Sequence, residues 1–295
     1  RLKLYFKHNL GYEDITISLN VMKKLPDAFR ANDFLIEVVY LKRREVAEIL
    51  DVKPANSEKS VLYGIALDIG TTSVSACLVD MNTNEILTKA SMGNAQVKYG
   101  ADVINRIVYS EKPGGLENLR HAIVDESINN LIEKMVKTVG IKKEDIYEVC
   151  AAGNTTMNHL LLGLNPDYLR REPFIPAIND IPEMKCAELG INVNPEGKIY
   201  LAPSVASYVG GDITAGVFAV PVWMREDFTM LVDLGTNGEI VFGNKDFLMT
   251  CACSAGPAFE GGEISCGTRA VPGAIEQVTI NEDDLRPFYN TIGHV

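Results

Sequence analysis

The sequence predicts an α/β protein made of two related lobes of mixed β-sheet, with a small α+β domain in front of them. Three strand-like runs follow one another closely in residues 61–91, and three more do so in residues 228–252. Between the two sets, helix-like and strand-like segments alternate. A three-strand set that restarts after such an alternation is typical of two layered lobes, each a sheet with helices packed on it.

The small domain is predicted to cover residues 1–60. Three apolar runs in it favour strands: 2–6, 35–41 and 45–50. The segment 21–30 favours a short helix. The polar stretch 53–59 is typical of a linker and predicts the end of the domain.

The first lobe is predicted to cover residues 61–222. Its opening strands are 61–68, 73–80 and 85–91. An apolar stripe from Leu116 to Val139 predicts a long amphipathic helix that Gly140 ends. The remaining elements are a strand at 145–151, a helix running to Leu162, a strand at 198–202 and a small-residue helix at 205–220, which Gly210-Gly211-Asp212 interrupts. Residues 163–197 are rich in proline without a sustained period, which predicts a long insertion.

The second lobe is predicted to begin at residue 223. Its strands are expected at 228–234, 238–243 and 246–252. Only about twenty residues follow Ala274, so we expect this lobe to be incomplete, with its hairpins but not its helices. The order of strands and helices in both lobes resembles the ribonuclease-H-like arrangement.

Composition excludes several classes of function. The net charge is −11 and the Lys and Arg residues are scattered, so we expect no nucleic-acid partner. No apolar run reaches the roughly 18–20 residues of a membrane span, so we expect no membrane partner. The six cysteines form no CxxC pair, which favours reduced thiols in a cytoplasmic protein.

A repeated motif carries the functional prediction. Asp68-Ile69-Gly70-Thr71-Thr72 and Asp233-Leu234-Gly235-Thr236-Asn237 each follow an apolar strand and precede a second strand. A turn of small residues presents backbone N–H groups and hydroxyls to a phosphate. The two carboxylates at the strand ends suit Mg²⁺ held through its bound waters. One such turn could be an ordinary hairpin, but two suggest a nucleotide held between two lobes, with Glu239 as a weaker candidate for positioning water or metal.

Three further stretches leave alternatives open. Residues 151–156 form a strand-to-helix turn that either faces an anion or simply caps a helix. Residues 207–212 form a hinge, a close helix-packing site or a plain helix break. Residues 253–263 form a glycine-rich loop that contacts nucleotide or a partner, or lies on the surface.

These elements resemble the ASKHA superfamily, the actin-like ATPases that include sugar kinases and heat-shock chaperones. The two Asp-x-Gly-Thr motifs look like its two phosphate motifs. Within the superfamily the chain is most similar to the reductive activators of corrinoid proteins. That resemblance is carried by the runs 62–72, 152–157, 254–262 and 266–276. It covers about residues 61–280, and residues 1–60 look like the family's middle or linker domain.

The resemblance implies the cofactors and partners. ATP and Mg²⁺ are expected, with the metal held through water by Asp68 and Asp233. The residues expected to contact nucleotide are Gly70, Thr71, Thr72, Gly153, Asn154, Thr155, Gly235, Thr236, Asn237 and Gly256. A corrinoid protein is the implied partner, whose Co(II) is returned to Co(I), and a homodimer is possible. The [2Fe-2S] cluster of the family is expected in a longer protein, with no ligands from this chain.

Three rival functions stay open. A sugar-type kinase would need a general base and a sugar pocket, for which the insertion offers only scattered acids. A non-catalytic interaction module would use the same fold as a scaffold. An activator of radical dehydratases would need bridging cysteines for a [4Fe-4S] cluster, and Cys251, Cys253 and Cys266 match this poorly.

Overall fold

The structure, a computed structural model, describes residues 1–56, 60–254, 267–268, 271–282 and 284–294. Its helices are α1 (Leu2–Leu10), α2 (Leu19–Ala31), α3 (Val103–Ser110), α4 (Gly115–Ile123), α5 (Asn129–Val139), α6 (Thr155–Leu162) and α7 (Gly211–Ala219). Within the described ranges, no helix combines the length and apolarity needed to cross a membrane.

The strands confirm the two predicted sets. Before the first set lie β1 (Asp14–Ile17), β2 (Ile36–Arg43) and β3 (Val46–Pro54). The first lobe contains β4 (Tyr63–Ile69), β5 (Ser73–Asp80), β6 (Glu85–Gly93), β7 (Ile146–Gly153), β8 (Met184–Lys185) and β9 (Lys198–Leu201). The second contains β10 (Thr229–Leu234), β11 (Asn237–Gly243), β12 (Leu248–Ser254), β13 (Ile275–Ile280) and β14 (Pro287–Thr291).

The N-terminal segment differs from the sequence prediction. Residues 2–6 form part of α1, so the strand expected there is wrong. The helix ends at Gly11, whose φ of 76° supplies the left-handed cap that a helix end favours. Phe6 is the buried residue of α1 and stacks edge-on against Tyr40, at 5.0 Å between ring centroids. A short apolar run does not distinguish helix from strand, and here the cap and this single buried ring decide for helix.

The six-stranded sheet of the first lobe places the candidate acid Asp68. Its strand order is β6-β5-β4-β7-β9-β8, with β4, β7 and β9 parallel to one another. On β4, Ile65, Leu67 and Ile69 are buried in the core, against the side chains of α4, α5 and α6. Because neighbouring strand residues point to opposite faces, Asp68 lies on the open face, next to the turn that ends β4.

The long helix of the first lobe is confirmed, with an irregularity. A π-helical turn over Val124–Ile128 separates α4 from α5, and Gly140 ends α5 with φ 79°. The sequence prediction missed α3, although Asp102 gives it an N-cap by accepting a hydrogen bond from the Asn105 amide at 2.8 Å. The final helix of this lobe, α7, begins at Gly211 rather than at residue 205.

The second lobe contains two antiparallel groups of strands. β10, β11 and β12 form a meander in that order, and β13 pairs with β14 as a hairpin. The three strands expected at 228–252 are therefore confirmed. The boundaries predicted for the three domains stay predictions.

Candidate functional site

The two Asp-x-Gly-Thr turns meet. The first joins β4 to β5 and the second joins β10 to β11. The Oγ1 atoms of Thr72 and Thr236 lie 3.2 Å apart, within hydrogen-bond distance, although 164 residues separate them in the chain. The structure therefore brings the two motifs together at one cleft.

The first turn is anchored from behind through its carbonyl groups. Asn94 donates its side-chain Nδ2–H to the Gly70 oxygen at 2.8 Å and its backbone N–H to the Thr72 oxygen at 2.8 Å. Arg106 donates from Nη2 to the Thr71 oxygen. Both anchoring residues are buried, and the peptides are trans, so the N–H of each unit points opposite to its anchored carbonyl. Backbone N–H groups left free of carbonyl partners in such a turn are the donors that a bound anion uses.

Gly70 is required by this geometry. A Cβ at that position would lie 2.6 Å from the Ser73 carbonyl oxygen, which belongs to the backbone and cannot move aside cheaply. In the second turn a Cβ on Gly235 would meet the Asn237 oxygen at 3.7 Å, an ordinary contact. The Gly235 amide donates to that same oxygen at 2.9 Å.

Four carboxylates interact at the cleft. Burial raises the pKa of Asp68, and Asp233 raises it further, although Asp68 itself remains accessible to solvent. Burial raises the pKa of Asp212 to about 6, with added repulsion from Asp233 and Asp68. Burial likewise raises the pKa of Glu239 to about 7, with repulsion from Asp212 and Asp233, while a hydrogen bond from the Asn237 side chain acts in the opposite direction. Repulsion among like charges in a partly dry cleft favours protonation or a bound cation.

Asp233 and Glu239 owe their proximity to the strand register. They are directly paired across the β10–β11 hairpin, so their side chains leave the sheet on the same face. Asp212 lies in the first turn of α7. Sequence reasoning missed it as a site residue, although it flagged the glycine pair just before it.

The chemistry of this set suits hydrated Mg²⁺. Hard carboxylate oxygens are the ligands that Mg²⁺ takes, and it keeps several waters when proteins bind it. No three His, Cys, Asp or Glu side chains in the described part of the chain are arranged to hold a bare metal ion. The residues therefore fit a metal that is held through water and completed by phosphate oxygens, and do not form a closed protein cage.

Asn154 supports the first turn from α6. Its Nδ2 donates to the Thr71 hydroxyl at 3.0 Å, while its Oδ1 caps α6 by accepting from the Met157 amide at 2.9 Å. Thr155 is buried and donates its hydroxyl to the Ala206 carbonyl at 2.6 Å. Gly153 packs against β4, where a Cβ would lie 3.0 Å from the Ile69 oxygen. These residues have structural roles next to the cleft, and their contact with nucleotide stays a prediction.

The stretch 207–212 is a close-packing site. A Cβ on Gly210 would lie 2.4 Å from the Asn154 Cα, and a Cβ on Gly211 would lie 2.3 Å from the Ala202 carbonyl oxygen. The two glycines therefore let the start of α7 approach both the β7–α6 turn and the end of β9. This contact positions Asp212 relative to the first turn. Gly256, Cys266 and most of the predicted loop 253–263 lie outside the described residues.

The described cysteines do not fit an iron–sulfur cluster, which needs four ligands. They are Cys77, Cys150, Cys186, Cys251 and Cys253. No three metal-ligating side chains cluster in the described ranges.

Comparison with known proteins identifies the family. The description "RACo middle region" matches residues 63–224, more than half of the chain. The chain belongs to the RACo family. The description "C-terminal domain of RACo the ASKHA domain" matches residues 227–295, and "RACo linker region" matches residues 1–59.

Individual relatives are consistent with this family match. The chain is 35% identical over 305 residues to the corrinoid activation enzyme RamQ of Eubacterium limosum, covering 97% of this chain and 51% of that protein. It is 26% identical over 233 residues to the [Co(II) methylated amine-specific corrinoid protein] reductase of Methanosarcina barkeri, covering 72% of this chain and 40% of that protein. The structure of a reductive activator for corrinoid, iron-sulfur protein covers all of the chain with a TM-score of 0.89 and 42% identity.

The family match and this structural similarity confirm the predicted ASKHA fold and the predicted resemblance. The chain spans about half the length of the relatives it matches, at 51%, 40% and 47% of each.

Proposed function

We propose that this chain is the ATP-binding core of an enzyme that reductively activates a corrinoid protein, returning its Co(II) to Co(I). The observation that carries the proposal is the contact between Thr72 and Thr236, which joins two phosphate-type turns beside four carboxylates. The relatives act on corrinoid proteins, which supports a corrinoid protein as the partner.

The proposed roles follow from position. Asp68 and Asp233 would hold Mg²⁺ through water, and the bound metal would neutralise phosphate charge. The two turns grip the phosphates through Gly70, Thr71, Thr72, Gly235, Thr236 and Asn237. Glu239 takes a proton from the attacking water, because a base with a pKa of about 7 works best near neutral pH. Asn237 orients the carboxylate of Glu239 by its hydrogen bond.

ATP is proposed to drive a conformational change rather than to phosphorylate a substrate. The hydroxyl contact joins the two motifs across the cleft, so phosphates bound there would bias how the lobes close. The [2Fe-2S] cluster is proposed to belong to another part of a longer protein. The cytoplasmic location, the possible homodimer and the absence of nucleic-acid and membrane partners stay predictions.

The test is ATP hydrolysis stimulated by the corrinoid protein, measured together with the absorbance change of Co(II) going to Co(I). In the full-length protein, Asp68→Asn and Asp233→Asn are expected to lower turnover at least about a hundredfold, the scale for removing one electrostatic group from an active site. Asp180→Asn, an exposed acid of the insertion, is the matched control and is expected to leave turnover unchanged. Near-normal turnover in both cleft variants would contradict the proposal, and a phosphorylated small molecule among the products would favour the kinase alternative.

A further inference from the structure

A buried arginine binds the backbone of the first turn from the interior of the lobe. Arg106, on α3, is fully buried. Besides the Thr71 carbonyl, its guanidinium donates from Nε to the Gly100 oxygen at 2.9 Å and from Nη1 to the Gln96 Oε1 at 3.1 Å. Nη1 also lies 3.2 Å from the Met157 sulfur. Every one of these acceptors is electrically neutral.

The positive charge of Arg106 has no carboxylate partner in the described part of the chain. Asp102 is the one acid that favours its charged form, and the oxygens of that acid are engaged elsewhere, with the Asn105 amide at 2.8 Å and the Asn105 side chain at 2.7 Å. Burial lowers the pKa of Arg106 to about 10, so the group still carries its charge near neutral pH. A buried charge without a counter-ion is costly, which favours some compensating anion nearby.

The peptide between Thr71 and Thr72 links this charge to the cleft. Arg106 binds its carbonyl oxygen, and because the peptide is trans, its N–H points away from Arg106. The side chain of the same residue, Thr72, meets Thr236 at the cleft. Hydrogen bonds in such a chain polarise one another, so the guanidinium strengthens that N–H as a donor. Among the described residues, the ionisable groups that interact at the cleft are four acids, so a positive contribution from behind the turn would favour a bound anion.

We propose that Arg106 is a positioning residue whose counter-ion is the bound polyphosphate on the far side of the Thr71–Thr72 peptide. It makes the cleft prefer ligands with more phosphate charge. The inference rests on the proposed function in taking ATP as the ligand, but it applies to any polyphosphate that the first turn holds.

Two variants separate charge from hydrogen bonding. Arg106→Lys keeps the charge and loses the planar fork, while Arg106→Gln keeps a donor and loses the charge. Arg120→Gln is the matched control, because Arg120 also donates to backbone oxygens, those of Leu161 at 3.3 Å and Glu188 at 3.5 Å, away from the turn.

The measurement is calorimetric binding of Mg-ATP, AMP and magnesium pyrophosphate to the full-length protein, with thermal unfolding of each variant without ligand. Arg106→Gln is expected to weaken Mg-ATP and pyrophosphate binding at least about tenfold while changing AMP binding less, since the loss scales with phosphate charge. Arg106→Lys is expected to keep the preference for ATP over AMP, and Arg120→Gln to bind as the wild type does.

Two results would overturn the inference. One is an equal loss in the Lys and Gln variants for all ligands, which would mean that Arg106 only braces the loop. The other is a lost preference for ATP over AMP in Arg106→Lys, which decides the matter even if Arg106→Gln does not fold. If the wild-type protein binds pyrophosphate but not Mg-ATP, the proposed function is wrong, and the inference on Arg106 is then tested with pyrophosphate. If the wild-type protein binds neither ligand, both the proposed function and the inference on Arg106 are wrong.

Discussion

The two phosphate-type turns have nearly the same sequence but different surroundings. In the first, all three carbonyls from Gly70 to Thr72 are held by buried side or main chains, and Thr71 is only 7% exposed. In the second, Leu234 is 72% exposed, and the closest neighbour that a Cβ on Gly235 would meet is in the turn itself. The same motif is therefore rigidly supported in one lobe and locally supported in the other, which suggests that the first turn presets the phosphate site and the second adapts to it.

Adding one methyl group to each turn should give the largest contrast. Gly70→Ala forces a Cβ against the Ser73 oxygen, so we expect a loss of about 2–4 kcal/mol in the free energy of unfolding, the range for severe backbone clashes. In Gly235→Ala the added Cβ meets only ordinary contacts, so the free energy of unfolding should change by about 0.5 kcal/mol or less. Chemical denaturation of both variants measures the contrast, and equal losses would mean that the turns are supported alike.

Removing the amide that braces the first turn should have the next largest effect. Asn94→Ala leaves the half-buried Gly70 carbonyl without its donor, and we expect this to lower the free energy of unfolding by about 1–3 kcal/mol. Asn82→Ala is the control, because Asn82 lies in the exposed β5–β6 turn and its side chain makes one long bond, of 3.5 Å. Denaturant midpoints for the two variants test this, and a cost in Asn82→Ala as large as that in Asn94→Ala would argue against a special support of the first turn.

The acids near the second turn should make stability depend on pH. Because the pKa of Glu239 is raised from 4.5 to about 7, the folded protein binds more protons than the unfolded chain between these values. Without ligand, stability should therefore fall as pH rises from about 4.5 to about 7, and Asp212 adds to this up to about 6. The unfolding temperature measured across this pH range tests the prediction. Glu239→Gln should flatten the dependence of the unfolding temperature on pH. An unchanged dependence in that variant would show that the neighbouring acids do not raise the pKa of Glu239.

Removing the hydroxyl contact between the two turns should have the smallest effect on the free energy of unfolding. A double-mutant cycle of Thr72→Val and Thr236→Val should give a coupling of about 0.5–1.5 kcal/mol in the free energy of unfolding, the net value of an ordinary hydrogen bond. Repeating the cycle with Mg-ATP should increase the coupling if nucleotide draws the lobes together. Zero coupling in both conditions would show that the turns do not act together.

Local patterns predicted most of the strands because they rely on residues close in sequence. The three-strand sets at 61–91 and 228–252 and the helix that Gly140 ends were all recognisable from apolar periodicity and turn residues. The run 2–6 was misassigned because alternation in five residues is compatible with either element, and the deciding ring, Phe6, packs on Tyr40, far along the chain. Helix α3 was missed although its Asp102 cap was visible in the sequence.

The sequence by itself determined the repeated Asp-x-Gly-Thr turns, the α/β class and the family resemblance, since these are properties of local order along the chain. Tertiary structure alone decided that the two turns touch, that Asp212 joins their acids, and that Asn94 and Arg106 brace only the first turn. These contacts join segments tens to more than a hundred residues apart. Such distances follow from how helices and sheets pack, which no local pattern encodes.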